Sequence, residues 1–211
     1  MSRDNILHKV RTALGRSAGQ EAANLPPVRL RIPEVGLEER ISVMRSRIEA
    51  LAGVTDRVPD TAAARGYVAQ TIVGRTAVAS NSPFLAECGI PELPGVESGI
   101  RDVNVMRETC ARVDIGITSA DYALCDTGTL VIMASPAESR LASLLPPMHL
   151  AVVPVERILT GLDELFTLLP RPAEQTSSMV LITGPSRTAD IEQILVRGIH
   201  GPGQLTVLLV G

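Results

Sequence analysis

Two carboxylates, several hydroxyl groups and a glycine are concentrated between residues 116 and 129, in a stretch bounded by apolar runs. Asp121 or Asp126 could accept a proton or a hydrogen bond from a substrate hydroxyl. Gly128, between Thr127 and Thr129, permits close backbone approach and a nest of N–H groups for an anion. Alternatively, the aspartates satisfy turn amides and the threonines cap the backbone. We therefore expect these five residues either to bind a substrate or to stabilise a turn.

A second polar segment begins at Gly184 and contains Ser186, Arg187 and Thr188. Apolar spacing predicts a strand before it and a helix over 188–197 after it. Free amides at the start of that helix, together with the Arg187 guanidinium, would bind a phosphate or a carboxylate. Thr188 as an N-cap, with an aspartate in the first turn, describes an ordinary capped helix instead. The sequence leaves both interpretations open.

A third segment, residues 197–203, places His200 among glycines and a proline. His200 could carry a proton near neutral pH, or it could bond free carbonyls at a helix end. Gly201-Pro-Gly203 precedes a strand and does not continue as GxGxxG, so it is no dinucleotide fingerprint.

The residues that usually hold metals and cofactors are few. The three cysteines form no CxxC, and the three histidines form no metal-spaced pair. The only lysine is Lys9, near the N-terminus, which excludes a phosphate loop of the GxxxxGK[ST] type and a core Schiff base. We therefore expect no metal, flavin or nicotinamide to be bound.

Composition predicts a packed globular domain that does not bind nucleic acid. Hydrophobic residues make up 45% of the chain and charged residues 20%, which allows a sizeable core. Aromatic residues make up 2% and the net charge is −3, which argues against a base-stacking surface and a phosphate-binding one. Neither a membrane-spanning run nor a secretory leader is recognisable, so we expect no membrane insertion and a cytoplasmic location.

The order of predicted elements indicates an α/β fold with two parts. Residues 1–35 are predicted to be a basic helix and a Pro-punctuated linker, and 36–211 an α/β domain. In that domain we predict, among other elements, helices over 61–71 and 135–145 and short apolar strands over 76–80, 149–153 and 205–210. This alternation of strands with helices predicts a mostly parallel sheet with helices on both faces. Residues 115–118 and 129–134 are too close for a helical crossover, so we expect them to pair antiparallel. The sequence then brings 126–129 and 184–188 to one cleft, where Arg187 and Asp126 would hold a small carboxylate.

Three stretches together resemble the LUD family of lactate-utilization proteins. They are 116–129, His149-Leu-Ala-Val-Val-Pro154, and the closing pair 184–192 with 198–202. The resemblance covers about residues 75–211. The family commonly carries glutamate where this chain has Asp126.

The resemblance implies a three-layer fold similar to that of ribose-5-phosphate isomerase, CoA transferases and 5-formyltetrahydrofolate cyclo-ligase. It implies a subunit that positions substrate or supports structure while L-lactate is oxidised to pyruvate, with iron–sulfur proteins as partners that carry the electrons. It implies no particular catalytic residue. The alternative is a free-standing enzyme or binder for a phosphorylated or carboxylated metabolite.

Overall fold

The computed structural model describes residues 2–20, 32–189 and 195–211. The chain divides into two compact units, residues 1–31 and 32–211. In the first unit, helix α1 (Arg3–Ala13) begins where the Ser2 hydroxyl accepts a hydrogen bond from the Asn5 amide. The predicted linker, 16–35, falls partly on residues 21–31, outside the described residues.

The described part of the second unit contains six helices and twelve strands. The helices are α2 (Leu37–Ala50), α3 (Thr61–Thr71), α4 (Pro83–Glu87), α5 (Val103–Arg112), α6 (Arg140–Leu144) and α7 (Leu162–Leu168). The strands are β1 (Val54–Val58), β2 (Ala77–Ala79), β3 (Val96–Glu97), β4 (Ile115–Ser119), β5 (Tyr122–Leu124), β6 (Thr129–Met133), β7 (Met148–Pro154), β8 (Ile158–Leu159), β9 (Met179–Ile182), β10 (Arg187–Ala189), β11 (Leu195–Arg197) and β12 (Gln204–Val210).

Six parallel strands form a central sheet in the order β1-β12-β7-β4-β2-β3. Leu150 and Val152 of β7 pack toward α3 and α4, whereas Ala151 and Val153 pack toward α2 and a second sheet. On that second side, α5 and α6 cover Val78 of β2. Both faces are therefore buried, one under helices and the other under helices together with the second sheet, as continuous apolar strands predict. The expected α/β fold with a mostly parallel sheet is confirmed.

The second sheet has four strands in the order β8-β5-β6-β9, and the sequence did not predict it as a separate layer. Leu130 and Ile132 of β6 face the central sheet, while Val131 faces α7 on the outside. Alternating burial on the two sides of β6 explains why it reads as a continuous apolar run.

The expected antiparallel pairing of 115–118 with 129–134 is wrong. β4 lies in the central sheet between β2 and β7, and the antiparallel partner of β6 is β5, with Ala123 opposite Leu130. The chain leaves the central sheet after Ser119 and turns back at Gly128, whose amide donates to the Leu124 carbonyl at 2.9 Å. Gly128 has φ of +69°, the left-handed conformation that such a tight turn favours.

The expected helix over 188–197 is also wrong. β10 and β11 form an antiparallel hairpin instead, with Thr188 opposite Val196. Residues 190–194, including the predicted first-turn aspartate, lie outside the described residues. β-Branched residues paired across strands favour the ladder, and short apolar spacing does not distinguish the two structures. Thr188 lies within β10 and is therefore no N-cap, so no helix begins at this residue.

Helix α6 is shorter than the helix expected over 135–145, because a turn occupies 135–139. The Ser135 hydroxyl accepts the Glu138 amide at 3.0 Å, and α6 begins after Ser139. The helix packs closely on the central sheet: a β-carbon at Gly116 would lie 1.8 Å from the Ala142 carbonyl oxygen. Only glycine fits between α6 and β4 at this position.

Candidate functional site

The two segments expected to meet do lie at the same end of the second sheet. β6 runs antiparallel to β9, so Thr129 at the start of β6 adjoins Thr183 just after β9, with their hydroxyl oxygens 2.7 Å apart. Thr127 extends this hydroxyl chain, 2.8 Å from Thr129. The two segments therefore lie at one edge, as the sequence predicted, and a chain of hydroxyl groups links one segment to the other.

Gly128 and Gly184 bring this edge against helix α2. A β-carbon at Gly128 would lie 2.9 Å from Arg47 Cβ, and one at Gly184 would lie 3.0 Å from Leu51 Cβ. Both glycines also have positive φ, +69° and +87°. The close backbone approach predicted for Gly128 is therefore accounted for by packing against α2, and Gly184 packs against the end of the same helix.

The two aspartates of the first segment occupy different surroundings. Asp121 is half-buried, and its Oδ2 accepts the Met133 amide at 2.7 Å, which ties the end of β4 to β6. Asp126 is exposed; its Oδ1 accepts the Thr127 hydroxyl, and its carboxylate lies against Gly161. Asp121 therefore satisfies a backbone amide, as the alternative interpretation expects, but that amide lies at the end of β6 and not in a turn.

The closing segments pair with each other. The Ser186 amide donates to the Pro202 carbonyl at 2.9 Å, and the Gly198 amide donates to the Ser186 carbonyl at 3.1 Å. Arg187 and His200 are exposed, and His200 follows a strand, not the expected helix end. Gly184 and Ser186 line a cavity of about 220 Å³ that also contains the buried His149.

The sequence missed a second group, centred on Glu138, at the carboxyl ends of the central strands. Ser80, which directly follows β2, donates its hydroxyl to Glu138 Oε2 at 2.9 Å. Glu138 is only 7% exposed, and its Oε1 has no hydrogen-bond partner among the described residues. Burial raises the pKa of Glu138 to about 8; the Ser80 bond opposes this rise, and the charge of Asp121 adds to it. The carboxyl is therefore protonated at neutral pH.

Glu138 lies in the wall of a second cavity, of about 330 Å³, which we call the Glu138 cavity. Ser80 and Asn81 line it beside three arginines, Arg101, Arg107 and Arg140. Guanidinium groups bind carboxylates and phosphates through paired N–H donors. In open α/β sheets, ligands collect at the carboxyl ends of the strands, where this cavity lies.

Arg157 contacts the backbone and a side chain close to this cavity. It donates to the Ala120 carbonyl at 2.9 Å, and its guanidinium carbon lies 5.6 Å from the centre of the Phe84 ring. This contact fixes the backbone immediately before Asp121, whose carboxylate influences Glu138. The signal that could have located the group was the polar residues that follow apolar strands: Ser80-Asn81 after β2 and Ser135 after β6.

The family model for the LUD domain matches residues 41–210. This chain belongs to the LUD-domain family. The match spans α2 to β12 and so includes both sheets and both cavities.

Several curated relatives of this LUD domain carry the name lactate utilization protein C. The one from Exiguobacterium sp. is 41% identical over 108 residues, 49% of this chain and 47% of that protein. The one from Macrococcus caseolyticus is 36% identical over 49% of this chain and 46% of its own length. The matches thus span about half of these relatives. The one from Oceanobacillus iheyensis is 25% identical over 99% of this chain and 98% of its own.

The fold also has a solved counterpart. A crystal structure of a DUF162 family protein from Deinococcus radiodurans superposes with a TM-score of 0.66, covering 84% of this chain and 99% of that one. Sequence identity between the two is 18%, so the likeness concerns the fold alone. In the part of the chain that the structure describes, no helix is long and apolar enough to cross a membrane.

Proposed function

We propose that this LUD domain binds a small carboxylate, with L-lactate as the leading candidate, in the Glu138 cavity and that it serves in bacterial lactate utilization. The observation that carries the proposal is a buried carboxyl with one unpaired oxygen beside three arginines, at the carboxyl ends of the central strands. The relatives named lactate utilization protein C support the choice of lactate.

The residues of the cavity would divide the recognition of a 2-hydroxy acid. Arg101, Arg107 and Arg140 would attract and orient the carboxylate. When the Ser80 hydroxyl donates to Oε2 of Glu138, a proton held by that carboxyl lies on Oε1. Glu138 would then donate from Oε1 to an oxygen of the ligand, so that its one unpaired oxygen gains a partner.

We further propose that the domain positions substrate while iron–sulfur partner proteins carry the electrons. All three cysteines, Cys88, Cys110 and Cys125, are buried, and burial raises the pKa of each thiol. Thiols in this state are poor nucleophiles and poor metal ligands, which suits a division of labour in which partners supply the redox centres. A cytoplasmic location belongs to the same proposal.

Isothermal titration of the purified full chain with L-lactate tests the binding step. We expect saturable binding that Arg107→Ala weakens by about tenfold or more, because a charge-assisted contact is lost. Arg171→Ala is the matched control, since Arg171 is exposed, lies outside the lining of the Glu138 cavity and, among the described residues, forms an ion pair with nearby Glu174. If wild type and Arg107→Ala give the same isotherm, the Glu138 cavity is not the lactate site.

Exposed arginines would serve a phosphate equally well, so a sugar phosphate is the informative comparator. If ribose 5-phosphate binds far more tightly than L-lactate, the result favours a free-standing enzyme or binder of a phosphorylated metabolite.

The role in lactate utilization is tested in the native host. We expect deletion of the gene to abolish growth on L-lactate, and we expect an affinity-tagged chain to retain iron–sulfur proteins. Normal growth on lactate would contradict the role in lactate utilization.

A further inference from the structure

The cavity that contains His149 is separate from the Glu138 cavity and has a different character. It has a volume of about 220 Å³ and lies between α6, the end of β9 and the start of β12. Leu144, Ile182 and Leu205 provide apolar walls, and Ser143 and Ser186 provide hydroxyl groups. We call it the His149 cavity. Its size suits a ligand smaller than a typical drug molecule.

His149 is the one histidine in the core of the described chain, and half of its hydrogen-bonding capacity is unused. The side chain is buried, with 1% of the residue exposed. Nε2 lies 2.8 Å from the Thr118 hydroxyl, whereas Nδ1 has no partner among the described residues. An unpaired buried nitrogen is costly, so a group that pairs with it gains free energy on binding.

The Thr118 hydroxyl determines which ring nitrogen carries the proton. A threonine hydroxyl has one hydrogen to donate, and this one has no other side-chain partner among the described residues. If it donates to Nε2, that nitrogen is the acceptor and the ring proton lies on Nδ1. Burial also lowers the pKa of His149 to about 4, so the ring is neutral. In that tautomer His149 offers a neutral N–H donor, Nδ1–H, that has no partner among the described residues.

We propose that the His149 cavity is a second ligand site, which takes a small, mainly apolar molecule through a neutral carbonyl oxygen bound to His149 Nδ1. A neutral donor among apolar walls satisfies a carbonyl, whereas a carboxylate would lose its hydration beside an uncharged ring. Arg140 also lines this cavity with an exposed side chain, so the acid is the necessary competing probe.

The tautomer is measured first, on the wild-type chain labelled with [15N]histidine. The chain has only three histidines, and His8 and His200 are exposed, so the buried ring is readily assigned. Long-range proton–nitrogen spectra distinguish protonated from unprotonated ring nitrogens. We expect His149 to be neutral at pH 7 with its proton on Nδ1. A proton on Nε2 would overturn the donor role.

Binding is then measured with two probes of one shape, 3-methylbutan-2-one and 2-methylpropanoate. We expect the ketone to shift His149 Nδ1 and the amides of Ile182, Ser186 and Leu205 along one saturable curve, and the acid to bind at least threefold more weakly. Tighter binding of the acid, or no saturable shift from the ketone at tens of millimolar, would overturn the proposal.

Two substitutions test the contributions of the two ring nitrogens separately. His149→Gln keeps a group near the Nε2 position for Thr118 and removes the donor to the cavity; we expect ketone affinity to fall about three- to tenfold. His149→Asn keeps a donor near Nδ1 and should retain affinity within about threefold. Equal affinity of wild type and His149→Gln would overturn the proposed contact.

A filling substitution tests the location without touching His149. Gly201 lines the cavity, and its backbone is not in the left-handed conformation. A β-carbon there would make ordinary van der Waals contacts with Ser186 and Leu144. We expect Gly201→Leu to abolish ketone binding and leave the thermal midpoint within a few degrees of wild type. Undiminished binding would place the ketone elsewhere. Because L-lactate is proposed to bind the Glu138 cavity, its isotherm with Gly201→Leu should stay unchanged whichever way the ketone experiment falls.

Discussion

The hydroxyl oxygens of Thr129 and Thr183 lie 2.7 Å apart and join the two polar segments that the sequence placed together. The contact closes the β6–β9 edge beyond the last ladder pair, Leu130 with Ile182. These hydroxyls satisfy each other, whereas the buried side-chain polar atoms that lack a partner among the described residues belong to Glu138 and His149.

Thr129→Val should lower the free energy of unfolding by about 1 kcal/mol, because it leaves Thr183 without this partner. Thr183→Val should cost a similar amount. In a double-mutant cycle measured by urea denaturation, we expect a coupling of about 0.5–1.5 kcal/mol. A coupling near zero would mean that the two hydroxyls do not interact in solution.

Glu138 should make the protein less stable as the pH rises from 4.5 to about 8. Its pKa is raised from an ordinary 4.5 to about 8 on folding, so the folded state holds a proton that the unfolded state has released in this range. The contribution is fully present below pH 4.5 and is lost as the pH passes 8.

Glu138→Gln isolates this effect, since glutamine is neutral at every pH and can still accept from Ser80. We expect the variant to be more stable than wild type by about 1–3 kcal/mol at pH 8, with the difference shrinking toward pH 5. Glu174→Gln serves as the control, because Glu174 is exposed and pairs with Arg171 at the surface. A difference that does not vary with pH would contradict the raised pKa.

Gly116→Ala should destabilise the protein by about 2–4 kcal/mol, because its methyl group would strike the Ala142 carbonyl oxygen of α6. Gly66→Ala is a matched control: Gly66 lies within α3 and has open space around it, so alanine should stabilise the helix by about 0.5–1 kcal/mol. Thermal unfolding of both variants provides the comparison, and equal midpoints would show that α6 moves aside easily.

A chain that starts at residue 34 should keep the α/β domain folded. Residues 1–31 form a separate compact unit, and α1 has no buried residue. Thermal unfolding of the shortened chain should stay cooperative, with at most a modest shift in midpoint. Loss of the cooperative transition would show that the N-terminal unit is needed by the domain.

Local patterns in the sequence were sufficient for much of the fold. Helix α3 has the predicted bounds, Thr61–Thr71, and apolar runs predicted β2, β7 and β12 within a residue or two. The second sheet was not foreseen because strand pairing is long-range: β6 pairs with β9, about fifty residues away. The sequence did not predict helix α5 or strand β1, and it predicted a helix over 188–197 where β10 and β11 pair, because short segments carry little periodicity.

The candidate site was harder to predict than the fold. Glu138 gains its character from Ser80, 58 residues earlier, and from burial, neither of which is visible in the local sequence. His149 likewise looked like an ordinary strand residue, because its contact with Thr118 crosses from β7 to β4. Segments rich in hydroxyls and glycines were the predicted site, yet the unpaired buried side-chain atoms of the described residues belong to Glu138 and His149, outside those segments.

The three tightly packed glycines affect how variation among LUD domains should be interpreted. Gly116 accommodates α6, while Gly128 and Gly184 accommodate α2, so each would be retained in any relative that preserves these helix contacts, whatever it binds. Retention of glycine at these positions therefore reflects helix packing and gives no information about the ligand. Divergence of ligand preference should instead be sought at Arg101, Arg107 and Gly201, where side chains can change without moving a helix.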